Sequence, residues 1–209
     1  VYVESQGSHA MRERLAGSLG VEEKNIKVVT NDVGGGFGLK MMCFPEYVAT
    51  MFASRVLQRP VKWTSTRSEA FLSDSHGRDH VTEASIAMDK EGNFLGVKVD
   101  TVAAVGAYLS QYGIFIPTLA GAGMHVGVYK IPVLYNKVNV VYTNTVPVDA
   151  YRGAGRPEAS YVIERLVDKA ADDLGIDPVE LRVKNFVQPD EIGKHEGAIL
   201  PLDSCDFKK

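Results

Sequence analysis

The chain has 209 residues, 45% of them hydrophobic and 23% charged, with 23 Lys and Arg against 26 Asp and Glu and a formal net charge of −3. That composition belongs to a folded chain with a buried core rather than a disordered segment, and it lacks the basic excess of a nucleic-acid binder. No apolar run reaches the ~20 residues needed to cross a bilayer and no basic-then-apolar leader opens the sequence, so neither nucleic acid nor membrane is an expected partner. Cys43 and Cys205 lie far apart, as suits unpaired thiols in a reducing compartment, which predicts a cytoplasmic location. Val1-Tyr2-Val3-Glu4 already reads as strand and has no initiator Met, the expectation for a piece of a longer chain.

After that strand, Ser8 is a candidate N-cap, followed by Met11, Leu15 and Leu19 on one helical face and Gly20 as a stop. Ile26 to Thr30 reads as a strand closed by Asn31-Asp32. Gly34-Gly35-Gly36-Phe37-Gly38 comes next, then an apolar run from Phe44 to Leu57 with Pro45 in its first turn, expected to be a helix buried on most sides. A short strand is predicted over Val61 to Thr64 and a short helix after Thr66. Val81 to Met88 and Phe94 to Val105 should pair across the polar turn Asp89–Asn93, giving an antiparallel sheet in the middle of the chain. Residues 113–127 are rich in Gly and Ala, which permit close backbone approach, and Val138 to Thr143 reads as a further strand. Pro157 opens the clearest helix, with Ala159, Val162, Ile163, Leu166, Val167, Ala170 and Leu174 on one face and Gly175 at its end. Asp177-Pro178 starts another helix toward Asn185, and past Phe186 the chain turns polar. Strands and helices mix without regular βαβ alternation, which predicts an α+β fold of layered sandwich subdomains with a mixed or antiparallel sheet.

Two glycine loops carry the chemical interest. Backbone N–H groups at 34–38, set before a helix, could hold a phosphate or an oxyanion, although a tight turn explains the spacing as well. The loop departs from a P-loop, because Leu39-Lys40-Met41 stands where Gly-Lys-Ser/Thr belongs, and from a dinucleotide fingerprint, because Leu39 replaces the third glycine. Ala150-Tyr151-Arg152-Gly153-Ala154-Gly155-Arg156-Pro157 repeats the arrangement with two guanidinium groups added. The plainer alternative makes Arg152 and Arg156 surface residues paired with carboxylates such as Glu158. A nucleotide-binding module and a non-catalytic assembly subunit are the rival functions on these residues alone.

Taken together and in order, Gly34–Lys40, Phe44-Pro45-Glu46, Tyr129-Lys130-Ile131-Pro132 and Ala150–Arg156 resemble the xanthine oxidase family of molybdenum hydroxylases. The resemblance extends from Ser5-Gln6 to Lys184-Asn185 and is to the first molybdopterin-binding portion of the large subunit, near aldehyde oxidase and xanthine dehydrogenase. It implies that Gln6 sits beside the molybdenum, that Phe37 and Gly38 bring main-chain amides to its oxygen ligands, with Gly36 beside them as a cofactor-binding residue, and that Tyr151, Arg152 and Gly153 contact the cofactor from the other side. It further implies a metal held by molybdopterin, in the cytosine dinucleotide form or another, rather than by protein side chains. The implied reaction is hydroxylation with water-derived oxygen, electrons leaving through 2Fe–2S centres to FAD. The expected partners are a second molybdopterin-binding segment, iron–sulfur and FAD subunits or domains and a small-molecule substrate, in a hetero-oligomer. Residues 1–209 are then one portion of the catalytic subunit, with subdomains at about 1–75 and 76–186 and a polar tail at 187–209.

Departures from the family pattern narrow the reading. The family's base is a glutamate directly after glycine, and no Gly-Glu dipeptide occurs here, so no catalytic residue is expected in this chain and the chain alone should be inactive. Carbon monoxide dehydrogenases of the family place a copper-binding cysteine where Gly153 stands. Purine-oxidising members carry a glutamate at the position of Met41 and an arginine near that of Ala120, so an aldehyde or N-heteroaromatic substrate is favoured over xanthine. His76 and His80 are expected to be exposed, and Cys43 and Trp63 to be core residues; Cys205 carries no signal.

Overall fold

The computed structural model describes residues 1–194 and 201–207. Its first layer is built on helix α1, Ser8–Leu19. Gly7, rather than Ser8, holds the N-cap position, and its N–H donates to Ser5 Oγ at 2.9 Å. Gly20 closes the helix in the left-handed region at φ 63°, and the Val21 N–H returns to the Ala16 carbonyl at 3.1 Å. Met11, Leu15 and Ala16 are buried with Ile26, and Val1, Val3, Val28, Cys43, Tyr47, Val48 and Met51 pack around them. The expected strands at 1–4 and 26–30 shrink to one parallel bridge, Tyr2 to Val29. Pairing stops because the Val3 carbonyl accepts the Thr30 hydroxyl at 3.1 Å and the Gln6 N–H turns to the Lys40 carbonyl at 3.0 Å.

Helix α2, Pro45–Leu57, starts on proline as expected and ends at Gln58 in the left-handed region. It is not buried on most sides: none of its residues is buried, and Phe52, Val56 and Leu57 are more than half exposed. Tyr47, Val48 and Met51 pack on the α1 cluster, and among the described residues nothing covers the opposite face. Trp63 is likewise no core residue; it is 39% exposed, with its ring edge-on to Tyr47 at 6.4 Å. No strand forms over 61–64. Helix α3, Arg67–Ser73, is set by a capping box, in which the Glu69 N–H donates to Thr66 Oγ1 at 3.3 Å and the Thr66 N–H to Glu69 Oε2 at 2.7 Å.

Strand β1, His80–Met88, pairs antiparallel with β2, Phe94–Ala104, from His80 opposite Ala103 to Ile86 opposite Val97. Strand β3, Leu134–Val141, lies on the other side of β2 and runs parallel to it, so the sheet is mixed, in the order β1-β2-β3. Across one face lies α4, Arg156–Leu174, whose Ile163, Val167, Ala170 and Ala171 meet Phe94, Val97 and Val99 of β2. Fully burying a side chain such as Ile163 or Val167 contributes about 1.5–3 kcal/mol. Helix α5, Pro178–Asn185, is capped by the Asp177 carboxylate, which accepts the Val179 and Glu180 N–H groups. Arg182 docks α5 on α4 through Glu164 and Asp168, both at 2.8 Å, and the Tyr129 hydroxyl donates to the other Glu164 oxygen at 2.8 Å. The buried Asn185 ties α5 to the hairpin turn, accepting the Phe94 N–H and donating to the Gly92 carbonyl, each at 2.9 Å. No helix among the described residues is long and apolar enough to cross a membrane.

Candidate functional site

The first glycine loop folds onto Gln6. Gln6 Oε1 accepts the Gly38 N–H at 2.9 Å, and because a backbone N–H can only donate, the Gln6 amide is fixed with its Nε2 outward. A Cβ on Gly36 would stand 2.5 Å from the Gln6 side chain, so a larger residue there would push Gln6 out of its present place. Gly38 has φ 104°, and a Cβ on it would stand 2.2 Å from the Ala150 carbonyl oxygen, which places the first loop in backbone contact with the second. The loop does not open directly into a long helix. A single 3₁₀ turn, Leu39–Met41, follows it, and α2 starts only at Pro45. The helix-dipole argument therefore fails for residues 34–38, and the Gly38 amide, expected to face a ligand, is engaged by Gln6.

The second loop is anchored at its start by Asp149, 1% exposed, whose carboxylate accepts the Ala150 N–H at 2.5 Å and the Tyr112 N–H at 3.1 Å. Gly155 lies against the π-helical turn Ile116–Gly121, where a Cβ would meet the Ile116 carbonyl oxygen at 2.5 Å. Helix α4 then begins at once, so the dipole argument does hold here. Arg156 Nη1 donates to the Gly153 carbonyl at 3.3 Å. Neither Arg152 nor Arg156 pairs with Glu158.

Arg78 takes that place, and sequence reasoning missed it. Its Nη2 donates to the Arg152 carbonyl at 2.6 Å, its guanidinium lies 4.5 Å from the centre of the Tyr151 ring, and its Nε is 3.6 Å from Glu158 Oε2. Nothing in the spacing of His76-Gly77-Arg78 marks this role. The one available signal is Gly77, where a Cβ would crowd that of Tyr151 at 2.8 Å. Four non-glycine residues among those described have positive φ, and three of them, Phe37 (53°), Arg78 (67°) and Ala154 (44°), converge here, each at a cost of about 1–3 kcal/mol. A cavity of about 690 Å³ lies between the loops, lined by Gly36, Phe37, Phe71, Arg78, Ala150 and Tyr151 among others. Gln6 and Gly38 touch this lining without joining it; Arg152 and Gly153 follow next in the chain, outside it.

The N–H groups of Gly36, Phe37, Tyr151, Arg152 and Gly153 make no hydrogen bond among the described residues. Two histidines stand behind the second loop. Burial lowers the pKa of His80, which is therefore not the exposed residue expected, with the Glu158 and Asp79 carboxylates opposing the shift. The pKa of His125, 6% exposed with no partner for Nδ1 among the described residues, is lowered by burial and by His80. Burial, followed by the Glu46 carboxylate, raises the pKa of Asp74 at the cavity edge.

Residues 1–186 match the family model described as the molybdopterin cofactor-binding domain. The chain belongs to that family. Its ordered motifs thus identify a molybdopterin-binding portion of a xanthine oxidase family large subunit. The domain is 38% identical over 211 residues to the carbon monoxide dehydrogenase large chain of Hydrogenophaga pseudoflava, covering 99% of this chain and 26% of that protein. It is 35% identical to subunit gamma of the 6-hydroxypseudooxynicotine dehydrogenase complex of Paenarthrobacter nicotinovorans, covering 88% of this chain and 23% of that protein. The crystal structure of quinoline 2-oxidoreductase from Pseudomonas putida 86 superposes with a TM-score of 0.87 at 34% identity, covering 91% of this chain and 24% of that one. The domain spans about a quarter of the length of these relatives. Its residues fit the cofactor: molybdopterin is an anion rich in oxygen, and the two loops offer unengaged N–H donors, the Gln6 amide and a guanidinium around a cleft kept open by glycine.

Proposed function

We propose that this domain forms one wall of the molybdopterin site in a molybdenum hydroxylase that oxidises an aldehyde or an N-heteroaromatic compound with oxygen derived from water. The observation that carries the reading is the backbone contact of the two loops at Gly38 and Ala150, which gathers donors from both onto one cleft. When bound, the molybdenum cofactor supplies the two-electron redox chemistry. Gln6, held through Oε1, has Nε2 left to donate and would hold the cofactor from that side. Phe37, which lines the cleft with an unengaged N–H, would donate in the same region, while Gly36 and Gly38 allow the backbone to come close enough. Tyr151, Arg152 and Gly153 donate to the cofactor from the other side, with the positive end of α4 behind them. These donors are set before reaction, so they stabilise developing negative charge without reorganising.

The general base and the rest of the site come, in this reading, from a second molybdopterin-binding segment, and 2Fe–2S and FAD subunits or domains complete a cytoplasmic hetero-oligomer around the molybdopterin cofactor, in the cytosine dinucleotide form or another. The two separate clusters of buried residues, one in the α1 layer and one under the sheet, support subdomains at about 1–75 and 76–186. Met41 and the buried Ala120 are uncharged at the two positions where purine-oxidising members of the family carry a glutamate and an arginine, which supports a substrate less polar than a purine. Carbon monoxide oxidation is favoured by the 38% identity to a carbon monoxide dehydrogenase and opposed by Gly153, which offers no thiol for copper.

The test is metal and pterin analysis of the assembled enzyme with Gln6→Ala and Arg152→Ala variants. The parent should hold molybdenum without copper and turn over aldehydes or quinoline-like substrates, and each variant should lose bound molybdenum or turnover by about tenfold or more. Variants with full molybdenum and full turnover would refute the assignment, and stoichiometric copper would favour carbon monoxide.

A further inference from the structure

We infer that Arg78 is the positioning residue that sets the direction in which the second loop presents its donors to the cofactor. The inference rests on the reading that residues 151–153 contact molybdopterin. Arg78 holds two consecutive residues of that loop by different means, Tyr151 by its ring face at 4.5 Å and Arg152 by its carbonyl at 2.6 Å. In a planar trans peptide the carbonyl and the following N–H point opposite ways. A bond that draws the Arg152 carbonyl toward Arg78 therefore turns the Gly153 N–H away from it. The same guanidinium faces Oε2 of Glu158 in α4, 3.6 Å away, and that carboxylate oxygen is buried without a hydrogen bond among the described residues.

The backbone on either side of Arg78 is held by hydrogen bonds. The carbonyl of Asp79, next in the chain, accepts the Ala104 N–H at 3.0 Å at the end of β2, and His76 exchanges backbone bonds with the segment preceding the loop, to the Pro147 carbonyl at 3.1 Å and from the Asp149 N–H at 2.8 Å. Arg78 thus links the sheet, the first turn of α4 and the loop between them, and it does so from a left-handed backbone conformation, φ 67°. Lysine cannot substitute: stacking on Tyr151 while donating to Arg152 from one nitrogen and facing Glu158 with another requires the planar fork of arginine.

The experiment uses the assembled enzyme with Arg78→Lys and Arg78→Ala, and reads molybdenum per large subunit together with hydrogen exchange. Outer partners that orient ligand-binding groups are worth 10–100-fold in metal affinity, so bound molybdenum should fall about tenfold or more in both variants. Exchange of the Ala154 and Arg156 amides should speed up by about tenfold, while β1 and β2 keep parental protection. A purely structural role would loosen strands and loop together, and that result overturns the inference. Parental molybdenum and parental loop protection in Arg78→Lys also overturn it. Gln6→Ala, which removes a side-chain donor, separates the two levels: molybdenum lost there but kept in Arg78→Lys sinks only the positioning role, whereas molybdenum kept in both sinks the assignment of the site.

Discussion

At the scale of single residues, the glycines divide into those the site requires and those it does not. Gly38 combines φ 104° with a backbone oxygen 2.2 Å from where a Cβ would go, and a carbonyl cannot swing aside as the end of a flexible side chain can. Gly38→Ala should therefore pry the two loops apart and lower bound molybdenum at least about tenfold, as read by metal analysis of the assembled enzyme. Gly17 is the control. It lies exposed inside α1 with nothing within 4 Å of the place a Cβ would take, so Gly17→Ala should keep the metal and raise stability by roughly 0.5–1 kcal/mol, as read from the urea midpoint. A Gly38→Ala enzyme with parental molybdenum would show that close loop contact is dispensable. Arg78 shows why part of the site was illegible in the sequence: its role depends on three partners 73 to 80 positions further along, which no local spacing encodes.

Among the elements, those whose ends are marked by local chemistry were legible. Pro157 and Gly175 bound α4, Thr66 and Glu69 start α3, and Asp177 starts α5, because each mark satisfies backbone groups within a few residues of itself. The direction of β3 and the exposure of α2 were not legible, since pleat alternation is the same in parallel and antiparallel pairs and burial depends on what lies alongside. Asn185 shows how one side chain joins elements: it satisfies the Phe94 N–H and the Gly92 carbonyl, both buried. Asn185→Ala leaves both groups unpaired, at about 1–3 kcal/mol each. Hydrogen exchange at Phe94 should accelerate about tenfold to hundredfold, and unchanged exchange would show that water replaces the side chain at no cost.

For the molecule as a whole, the half-buried His80 and the buried His125 make stability depend on pH. Both His80 and His125 have folded-state pKa values below the ordinary 6.5, chiefly because burial disfavours the cation. The unfolded chain therefore binds protons that the folded chain refuses. The stability these groups contribute is complete above pH 6.5 and is lost as pH falls below it toward the depressed folded values. Each of the two titrations contributes at most about 1.4 kcal/mol per pH unit, the limit for a single proton, and the steeper contribution is expected from the more deeply buried His125. The Glu158 and Asp79 carboxylates beside His80 reduce its share, and the cation of either histidine raises the cost of charging the other. Lowering the pH from about 7.5 to about 5.5 should accordingly move the urea midpoint down, and His125→Leu should flatten that dependence because it removes the more deeply buried of the two titrations. A variant with the parent's full pH dependence would assign the acid sensitivity to other groups. Since His80 opens β1 two residues after Arg78, and Glu158 faces both, the same acid titration acts on the support of the second loop, and molybdenum retention should decline over the same pH window as stability.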